Sequence, residues 1–173
     1  MIASMRQRRR GPFGYLRRVA EERLHQVAPK ADDKTHAETM MDMEMYEAGL
    51  AARKRVLTEP YVEKALQSAD KFTQEFQTFI TTYCWGEVWT KTVLTDKQRS
   101  MNNLCMTAAL NKWAEFELHF RGAMRNGLSL AELRDVLLQI TVYCGVPCGV
   151  EAFRHARNVL TADGIDPDKE GSL

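Results

Sequence analysis

The 173-residue chain lacks any long apolar run and has almost no net charge. No stretch approaches the roughly 18 apolar residues that a membrane-spanning helix requires, so a membrane protein is not expected. The arginine-rich N-terminus is not followed by an apolar segment, which argues against a secretory signal. A formal net charge of +1 does not favour nucleic-acid binding by the main body. The chain also lacks a glycine-rich phosphate-binding motif and a dinucleotide fingerprint.

Cysteine and histidine are sparse, with four residues of each. Cys144 and Cys148 have a C-x-x-x-C spacing, which differs from the C-x-x-C of dithiol redox sites. Cys84 and Cys105 lie in helical patterns, where a buried free thiol is common. We therefore expect no structural disulfide and a reducing, cytoplasmic location. The histidines are scattered along the chain, so we expect no metal site.

The charges that are present are distributed unevenly. Residues 1–30 contain seven arginines and one lysine against two glutamates, so the remainder is acidic overall. We interpret residues 1–34 as a basic, flexible extension and residues 35–162 as one helical domain with a real core. Residues 163–173 are expected to form a polar, flexible tail. Contact of the basic extension with nucleic acid or anionic lipid is the weaker alternative.

Apolar residues recur at helical spacing through the whole domain. No alternating apolar run flanked by turns predicts a strand, so we predict an all-α fold. The hexapeptide WGEVWT is predicted to be a tight aromatic turn around Gly86. The predicted helices cover residues 36–57, 60–69, 71–84, 95–113, 114–126, 129–144 and 147–160.

Capping signals support several of these boundaries. Thr95 with Gln98, and Ser129 with Glu132, have the form of capping boxes at two helix starts. Thr58 is a candidate cap for the helix that follows it.

Two apolar stripes are larger than one small chain is expected to hide. Methionines and alanines recur through residues 40–52, and aromatic residues recur through residues 72–83. A monomer that exposed such surface would be prone to association, so we expect a homo-oligomer.

Glu115 and His119 are the first candidate pair for chemistry. They are four residues apart, so one helix places both on the same side, beside an apolar stripe. A histidine at such an edge titrates near neutral pH, and a neighbouring carboxylate fixes its tautomer. A surface ion pair on the helix is the alternative, and by pattern alone it is the commoner case.

Two further charged residues follow helix starts. Arg99 has a guanidinium suited to bidentate binding of a carboxylate. Glu132 is a candidate acid, but it also occupies the third position of a capping box, where its side chain bonds back to Ser129. For both residues a purely structural role stays open.

The segment YCGVPC joins two predicted helices. Free N–H groups at the start of the second helix favour anions, so Tyr143, Cys144 and Gly145 are candidates for substrate binding. An ordinary glycine–proline helix break is the alternative.

Five segments between about Met45 and Leu160 resemble the carboxymuconolactone decarboxylase family, in the order in which that family has them. The W-G-x-x-W and Y-x-G-x-P elements are the most diagnostic parts. The resemblance implies an AhpD-like helical fold with a central antiparallel helix hairpin, assembled as a trimer or hexamer. The segments are YEAGLAARKRVL, FTQEFQTFITTYCWGEVWTK, TDKQRSMNNLCMTAAL, EFELHFRGAMRNGLS and ELRDVLLQITVYCGVPCGVEAF.

The resemblance also implies a function. Decarboxylases of this family convert 4-carboxymuconolactone into the enol-lactone of 3-oxoadipate, in the protocatechuate branch of aromatic degradation. That substrate contains its own electron sink, so no cofactor is expected. On this hypothesis Arg99 binds the retained carboxylate, and His119, supported by Glu115, donates a proton. Trp85, Trp89 and Phe120 form an apolar wall beside the leaving carboxylate.

Two departures from the family keep other functions open. The peroxidase-like branch has C-x-x-C followed by a histidine, whereas Pro147 replaces the second cysteine here and Glu151 replaces the histidine. A thiol-dependent peroxidase or disulfide reductase using Cys144 and Cys148 is therefore the weaker alternative. The basic extension lies outside the family core and indicates a paralogue with a different substrate. A non-enzymatic helical assembly module is the third hypothesis.

Overall fold

The computed structural model describes residues 33–169, with side chains from residue 40 onward. These residues form helices and turns without a strand, which confirms the predicted all-α class. No helix in this part of the chain is long and apolar enough to cross a bilayer. The helices are α1 (Asp33–Leu57), α2 (Glu59–Gln67), α3 (Gln74–Phe79), a π-helix (Ile80–Val88), α4 (Asp96–Ala109), α5 (Trp113–Arg125), α6 (Leu130–Cys144) and α7 (Val146–Ala162).

The chain divides after Glu44 into two units, of which the second, beginning at Met45, is compact. In the first unit, residues 33–44 are helical, and Met40 and Met41 are exposed. The last two residues of the segment predicted as an extension are therefore helical. The rest of that extension lies outside the described residues.

Local signals explain two of the helix starts. Both predicted capping boxes are present: the backbone N–H of Gln98 donates to Thr95 Oγ1, and that of Glu132 donates to Ser129 Oγ, each at 3.2 Å. The predicted cap at Thr58 is wrong, because its side chain makes no cap hydrogen bond. Thr58 has a φ of +83°, a conformation that β-branched residues rarely adopt, and turns the chain between α1 and α2.

Two predicted boundaries are also wrong. The WGEVWT segment is not a tight turn, because the π-helix continues through Gly86 as far as Val88. Gly86 is buried against α1, where an added Cβ would lie 2.8 Å from Cγ of Met45. The helix after Thr95 ends at Ala109 rather than near Trp113, and Asn111, with a φ of +54°, lies in the connection to α5.

Helices α4 to α7 enclose the main core. In the antiparallel pair α4 and α5, Asn126 Nδ2 donates to Ser100 Oγ at 2.9 Å, while His119 faces Asn103. Helices α6 and α7 form a second pair, joined at Gly145, which has a φ of +93°. The largest buried side chains of this core belong to Leu104, Phe116, Phe120, Leu133, Leu137 and Ile140.

A second, smaller apolar cluster joins α1, α2 and the π-helix. Leu118 of α5 packs against this cluster. Arg125 Nε, also on α5, donates to the backbone carbonyl of Val56 at 2.9 Å. The two clusters therefore meet along α5, the helix that carries His119. The buried members of the second cluster are Ala52, Val56, Leu57, Val62, Trp85 and Trp89.

The predicted aromatic stripe of residues 72–83 is not part of either core. Phe72 is 91% exposed, and Phe76 and Phe79 are more than half exposed. Exposed apolar side chains also lie around the α6–α7 junction. This second group comprises Leu138, Val142, Tyr143, Val146 and Val150.

Candidate active site

Helix α5 places Glu115 and His119 one helical turn apart, as predicted. His119 is half-buried, and its Nδ1 lies 3.5 Å from Nδ2 of Asn103 on α4. Burial lowers the pKa of His119 below its usual 6.5, and the charge of exposed Glu115 opposes that effect. The ring of the free protein is therefore neutral at neutral pH. An amide N–H of Asn103 directed at Nδ1 leaves the ring proton on Nε2.

Arg99 lies one turn before Asn103, so both side chains occupy the same face of α4. Arg99 Nη2 donates to the backbone carbonyl of Lys91 at 3.0 Å. Its Nε is buried and has no hydrogen-bond partner among the described residues. A buried N–H without a partner costs free energy, and a carboxylate would satisfy it. This geometry is consistent with the predicted carboxylate-binding role.

Trp85 on the π-helix and Trp89, the residue directly after that helix, form an apolar wall, whereas Phe120 is buried in the main core instead. Both tryptophan side chains are buried, and their ring centroids lie 4.9 Å apart with the planes at 24°. Leu118, the neighbour of His119 in α5, packs against the cluster that contains both rings. Single π-helical turns occur frequently at functional sites. The tryptophan cluster therefore packs against α5 at the residue next to His119.

Glu132 has the contacts of a helix cap. Its carboxylate accepts from the backbone N–H of Ser129 at 2.9 Å and pairs with Lys97 Nζ at 2.7 Å. Lys97 and the Ser129 backbone lower the pKa of Glu132 to about 2. A carboxylate with so low a pKa holds no proton to donate at neutral pH. The geometry thus favours the structural alternative for this residue.

The junction between α6 and α7, which contains the YCGVPC motif, lies away from Arg99. Tyr143 is 81% exposed, and Gly145 ends α6. Cys148 Sγ donates to the backbone carbonyl of Ala108, near the C-terminal end of α4. Ala108 is nine residues beyond Arg99, which is roughly 13 Å along a helix. Within one protomer, the junction is therefore separated from the Arg99 side chain.

The pKa shifts of Cys105 and Cys148 are opposite to those of activated thiol nucleophiles. All four cysteines are unbridged, and Cys84 is exposed, contrary to the expected burial. Burial raises the pKa of Cys148, and the neighbouring Cys144 adds to that rise. Burial also raises the pKa of Cys105. Thiol catalysis requires the opposite shift, because the thiolate is the reactive form.

A second histidine–carboxylate cluster joins α5 and α7, in which His155 Nε2 lies 3.8 Å from Oε2 of Glu151, four residues earlier on α7. His155 Nδ1 on α7 lies 2.6 Å from Glu117 Oε1 on α5, and its ring stacks on Trp113 with centroids 4.9 Å apart. The side chain of His155 is only 18% exposed, although its arginine neighbours predicted a solvated face. Glu117 and His155 are 38 residues apart, so local spacing does not reveal their contact.

A cavity of about 650 Å³ lies between α5, α6, α7 and the C-terminal turn. Phe120, Leu133 and Leu137 contribute apolar side chains to its lining, together with Arg134 and Arg157. Phe120 of the predicted apolar wall lines this cavity, whereas the other nine predicted site residues do not. We therefore place the candidate site at the α4–α5 face and the π-helix, where the unsatisfied donor and the half-buried histidine lie.

Comparison with known proteins gives consistent results. A sequence model of the carboxymuconolactone decarboxylase family matches residues 74–162. The 4-carboxymuconolactone decarboxylase of Acinetobacter baylyi is 35% identical over 130 residues, which cover 75% of this chain and 97% of that protein. The nitrosuccinic acid decarboxylase of Metarhizium robertsii is 42% identical over 108 residues, which cover 62% of this chain and 76% of that protein. Among the described residues, no three His, Cys, Asp or Glu side chains are grouped to hold a metal ion.

Proposed function

Because this chain belongs to the carboxymuconolactone decarboxylase family and is a carboxy-lyase, we propose that it decarboxylates a small carboxylated lactone without a cofactor. The proposed reaction converts 4-carboxymuconolactone into the enol-lactone of 3-oxoadipate, within aromatic degradation. The observation that carries this proposal is the α4–α5 face, where half-buried His119 and the unsatisfied Nε of Arg99 flank Asn103.

The substrate supplies its own electron sink. When the carbon–carbon bond to the leaving carboxylate breaks, carbon dioxide departs, and the electron pair moves through the conjugated system onto the lactone oxygen. A proton then joins the ring carbon beside the lactone carbonyl, the carbonyl re-forms, and the remaining double bond, which now includes the carbon that lost carbon dioxide, is that of the enol-lactone. The protein must bind the retained carboxylate, stabilise the anion and supply the proton.

Binding of the retained carboxylate and supply of the proton each have a candidate residue. Arg99 binds the retained carboxylate, because its Nε offers an unused donor. His119 donates the proton: the negative charges of a bound substrate favour the imidazolium form and offset the burial of the ring. Glu115 supports that charge from the surface. Trp85 and Trp89 exclude water from the leaving carboxylate and favour its loss as neutral carbon dioxide.

The proposal gives no primary role in the reaction to the remaining predicted site residues. Glu132 is the reserve proton donor, although its low pKa favours the capping role. Tyr143, Cys144 and Gly145 stay predictions as substrate contacts. Tyr143 and Cys144 are exposed, so they are accessible to a ligand or to a second protomer.

The proposal is tested by carbon dioxide release from candidate acids. Purified full-length chain is incubated with 4-carboxymuconolactone and, separately, with nitrosuccinic acid, for which the Metarhizium robertsii relative is named. Nitrosuccinic acid also carries an electron-withdrawing group, so it is the second candidate substrate. Carbon dioxide from the lactone supports the proposal. Release from nitrosuccinic acid alone replaces the lactone with that substrate, and release from neither by a folded protein contradicts both.

We expect the thiols to be dispensable. Replacing both Cys144 and Cys148 with serine should leave kcat/KM for decarboxylation within about tenfold of the wild type, or about 1.4 kcal/mol. The reason is that burial raises the pKa of Cys148, which opposes thiolate formation. A loss greater than about a thousandfold in a variant with unchanged circular dichroism would restore the thiol hypothesis.

We also propose that the protein assembles as a closed homo-oligomer, a trimer or a hexamer. Phe72, Phe76 and Phe79 expose more aromatic surface than a monomer normally leaves in water. Light scattering at micromolar concentration should give three or six times the chain mass. A stable monomer would contradict this expectation.

Unbridged cysteines fit the reducing, cytoplasmic location that the sequence predicts.

A further inference from the structure

Arg53 is a buried arginine that the sequence did not single out. It lies on α1, and the residue is 4% exposed. Its Nη1 donates to Thr81 Oγ1 at 3.0 Å, and its Nη2 donates to Gln77 Oε1 at 2.9 Å. Its Nε is buried without a hydrogen-bond partner. Among the described residues, only Arg53 and Arg99 leave a buried side-chain nitrogen or oxygen unsatisfied.

Among the described residues, the charge of Arg53 also lacks a carboxylate counter-ion. Its two hydrogen-bond partners are a neutral hydroxyl and a neutral amide, and no described carboxylate lies within 4 Å of it. By contrast, the exposed Arg55 on the same helix pairs with Asp96 at 2.9 Å. A buried charge without a partner is costly and strongly destabilising, so its retention calls for a ligand that neutralises it.

The position of Arg53 connects it to the candidate site. Its partner Thr81 lies on the π-helix four residues before Trp85, and its neighbour Ala52 belongs to the cluster that contains both tryptophans. Leu118, beside His119, packs against the same cluster. Arg53 is thus hydrogen-bonded to the π-helix that carries Trp85, a residue of the apolar wall that the proposed function assigns to the leaving carboxylate.

One edge of the guanidinium is formed by the unsatisfied Nε and by Nη2, which donates to Gln77. Nε and Nη2 point in the same direction and form the fork that binds two oxygens side by side. Thr81 holds the opposite nitrogen, Nη1. Gln77 is half-buried and offers a single neutral oxygen to Nη2. An anionic oxygen group can take the Nε–Nη2 edge while Thr81 keeps the guanidinium in place.

We propose that Arg53 is a catalytic residue whose Nε–Nη2 edge binds the electron-accepting oxygens of the substrate and stabilises the negative charge that reaches them when carbon dioxide leaves. This inference rests on the proposed function. The accepting group, a conjugated carbonyl or a nitro group, is neutral in the substrate and anionic in the intermediate. Its attraction to Arg53 therefore strengthens as the reaction proceeds, which lowers the barrier rather than only tightening binding.

The two arginines then have separable roles. Arg99 binds a carboxylate that is charged before and after the reaction, so its loss should raise KM. Arg53 meets a charge that exists only after bond cleavage begins, so its loss should lower kcat by about 10²–10³-fold with a smaller change in KM. Arg53 is not expected to hold the leaving carboxylate, because binding that charge would stabilise the substrate more than the transition state.

The kinetic test compares Arg53→Gln, Arg99→Gln and the control Arg55→Gln in the full-length protein. The control removes an exposed arginine from the same helix and should leave kcat and KM close to wild type. The proposal is overturned if Arg53→Gln changes kcat by less than about tenfold, whatever happens to KM.

A binding test avoids any need for turnover. The probe is 3-nitropropanoate, which has a neutral nitro group when protonated at carbon and two anionic oxygens when converted to its nitronate. Calorimetry should show that the wild type binds the nitronate at least tenfold more tightly than the nitro form. Arg53→Gln should reduce that ratio by tenfold or more, and any smaller change contradicts the proposal. If the glutamine variant does not fold, Arg53→Lys, which lacks the fork, is measured against the same criterion.

The two tests also separate this inference from the proposed function. If the wild type releases carbon dioxide but Arg53→Gln still prefers the nitronate, the proposed function is supported and the role of Arg53 is contradicted. If the wild type releases no carbon dioxide but Arg53→Gln still abolishes the preference for the nitronate, the anion site at Arg53 is supported and the proposed substrate is wrong. A merely structural Arg53 would lower the melting temperature and weaken both probe forms equally, which counts against the inference.

Discussion

Replacing His119 with glutamine is expected to lower kcat for decarboxylation by about 10²–10⁴-fold, with a smaller change in KM. Glutamine keeps a polar side chain of similar length beside Asn103 but cannot deliver a proton. Glu115→Gln should cost less, because Glu115 only adds charge near the ring from an exposed position. Steady-state kinetics at several pH values measures both effects.

The pH dependence follows from the direction of the pKa shift. Burial lowers the pKa of His119 in the free protein, so the limb of kcat/KM that belongs to this ring should lie below pH 6.5. Bound substrate brings negative charge, which raises the pKa of the ring, so the limb of kcat should lie at higher pH than that of kcat/KM. His119→Gln should remove both limbs.

His155→Gln is the matched control for this experiment. His155 is also a mostly buried histidine beside a carboxylate, but it pairs with Glu117 outside the proposed machinery. Replacement of His155 should leave the pH limbs of kcat and kcat/KM in place.

If His119→Gln retains near-normal kcat, the proton comes from another group. Glu132 is then the first to test, although its low pKa would make it an unusual acid.

Gly49→Ala is expected to lower the free energy of unfolding by about 1–3 kcal/mol. In an open helix this change would stabilise the protein by about 1 kcal/mol, because alanine is the better helix former. Here an added Cβ would lie 2.6 Å from the backbone nitrogen of Gly86, and closer still to the carbonyl oxygen of Thr81. Backbone atoms of the π-helix cannot rotate away as a side chain can, so the clash outweighs the propensity.

Thermal unfolding measures this effect, because each kcal/mol corresponds to about 2–4 °C for a chain of this size. Ala51→Ser, at an exposed position of the same helix, is the control and should change stability by no more than about 0.5 kcal/mol. A Gly49→Ala protein that melts at a higher temperature than wild type would show that α1 and the π-helix separate readily. Displacement of α1 should also move Arg53 and so reduce activity.

Much of the fold follows from local sequence. Helical spacing predicted the all-α class, and the capping boxes at Thr95 and Ser129 mark two helix starts because their hydrogen bonds involve residues only three apart. The π-helix was missed, since WGEVWT has the composition of a turn. Its conformation depends on the close approach of Gly86 to Met45, 41 residues earlier in the chain.

The candidate site likewise has features that the sequence predicts and features that only the tertiary structure shows. The sequence by itself determined the family, the α5 pair of Glu115 and His119, and the carboxylate-binding chemistry of Arg99, because these depend on residue type and helical spacing. Only the tertiary structure decided that Asn103 faces His119 and that Arg53 is buried with no carboxylate counter-ion in the part of the chain that the structure describes. Those properties depend on contacts between different helices. Burial and electrostatic pairing are set by neighbours distant in sequence, which no local pattern records.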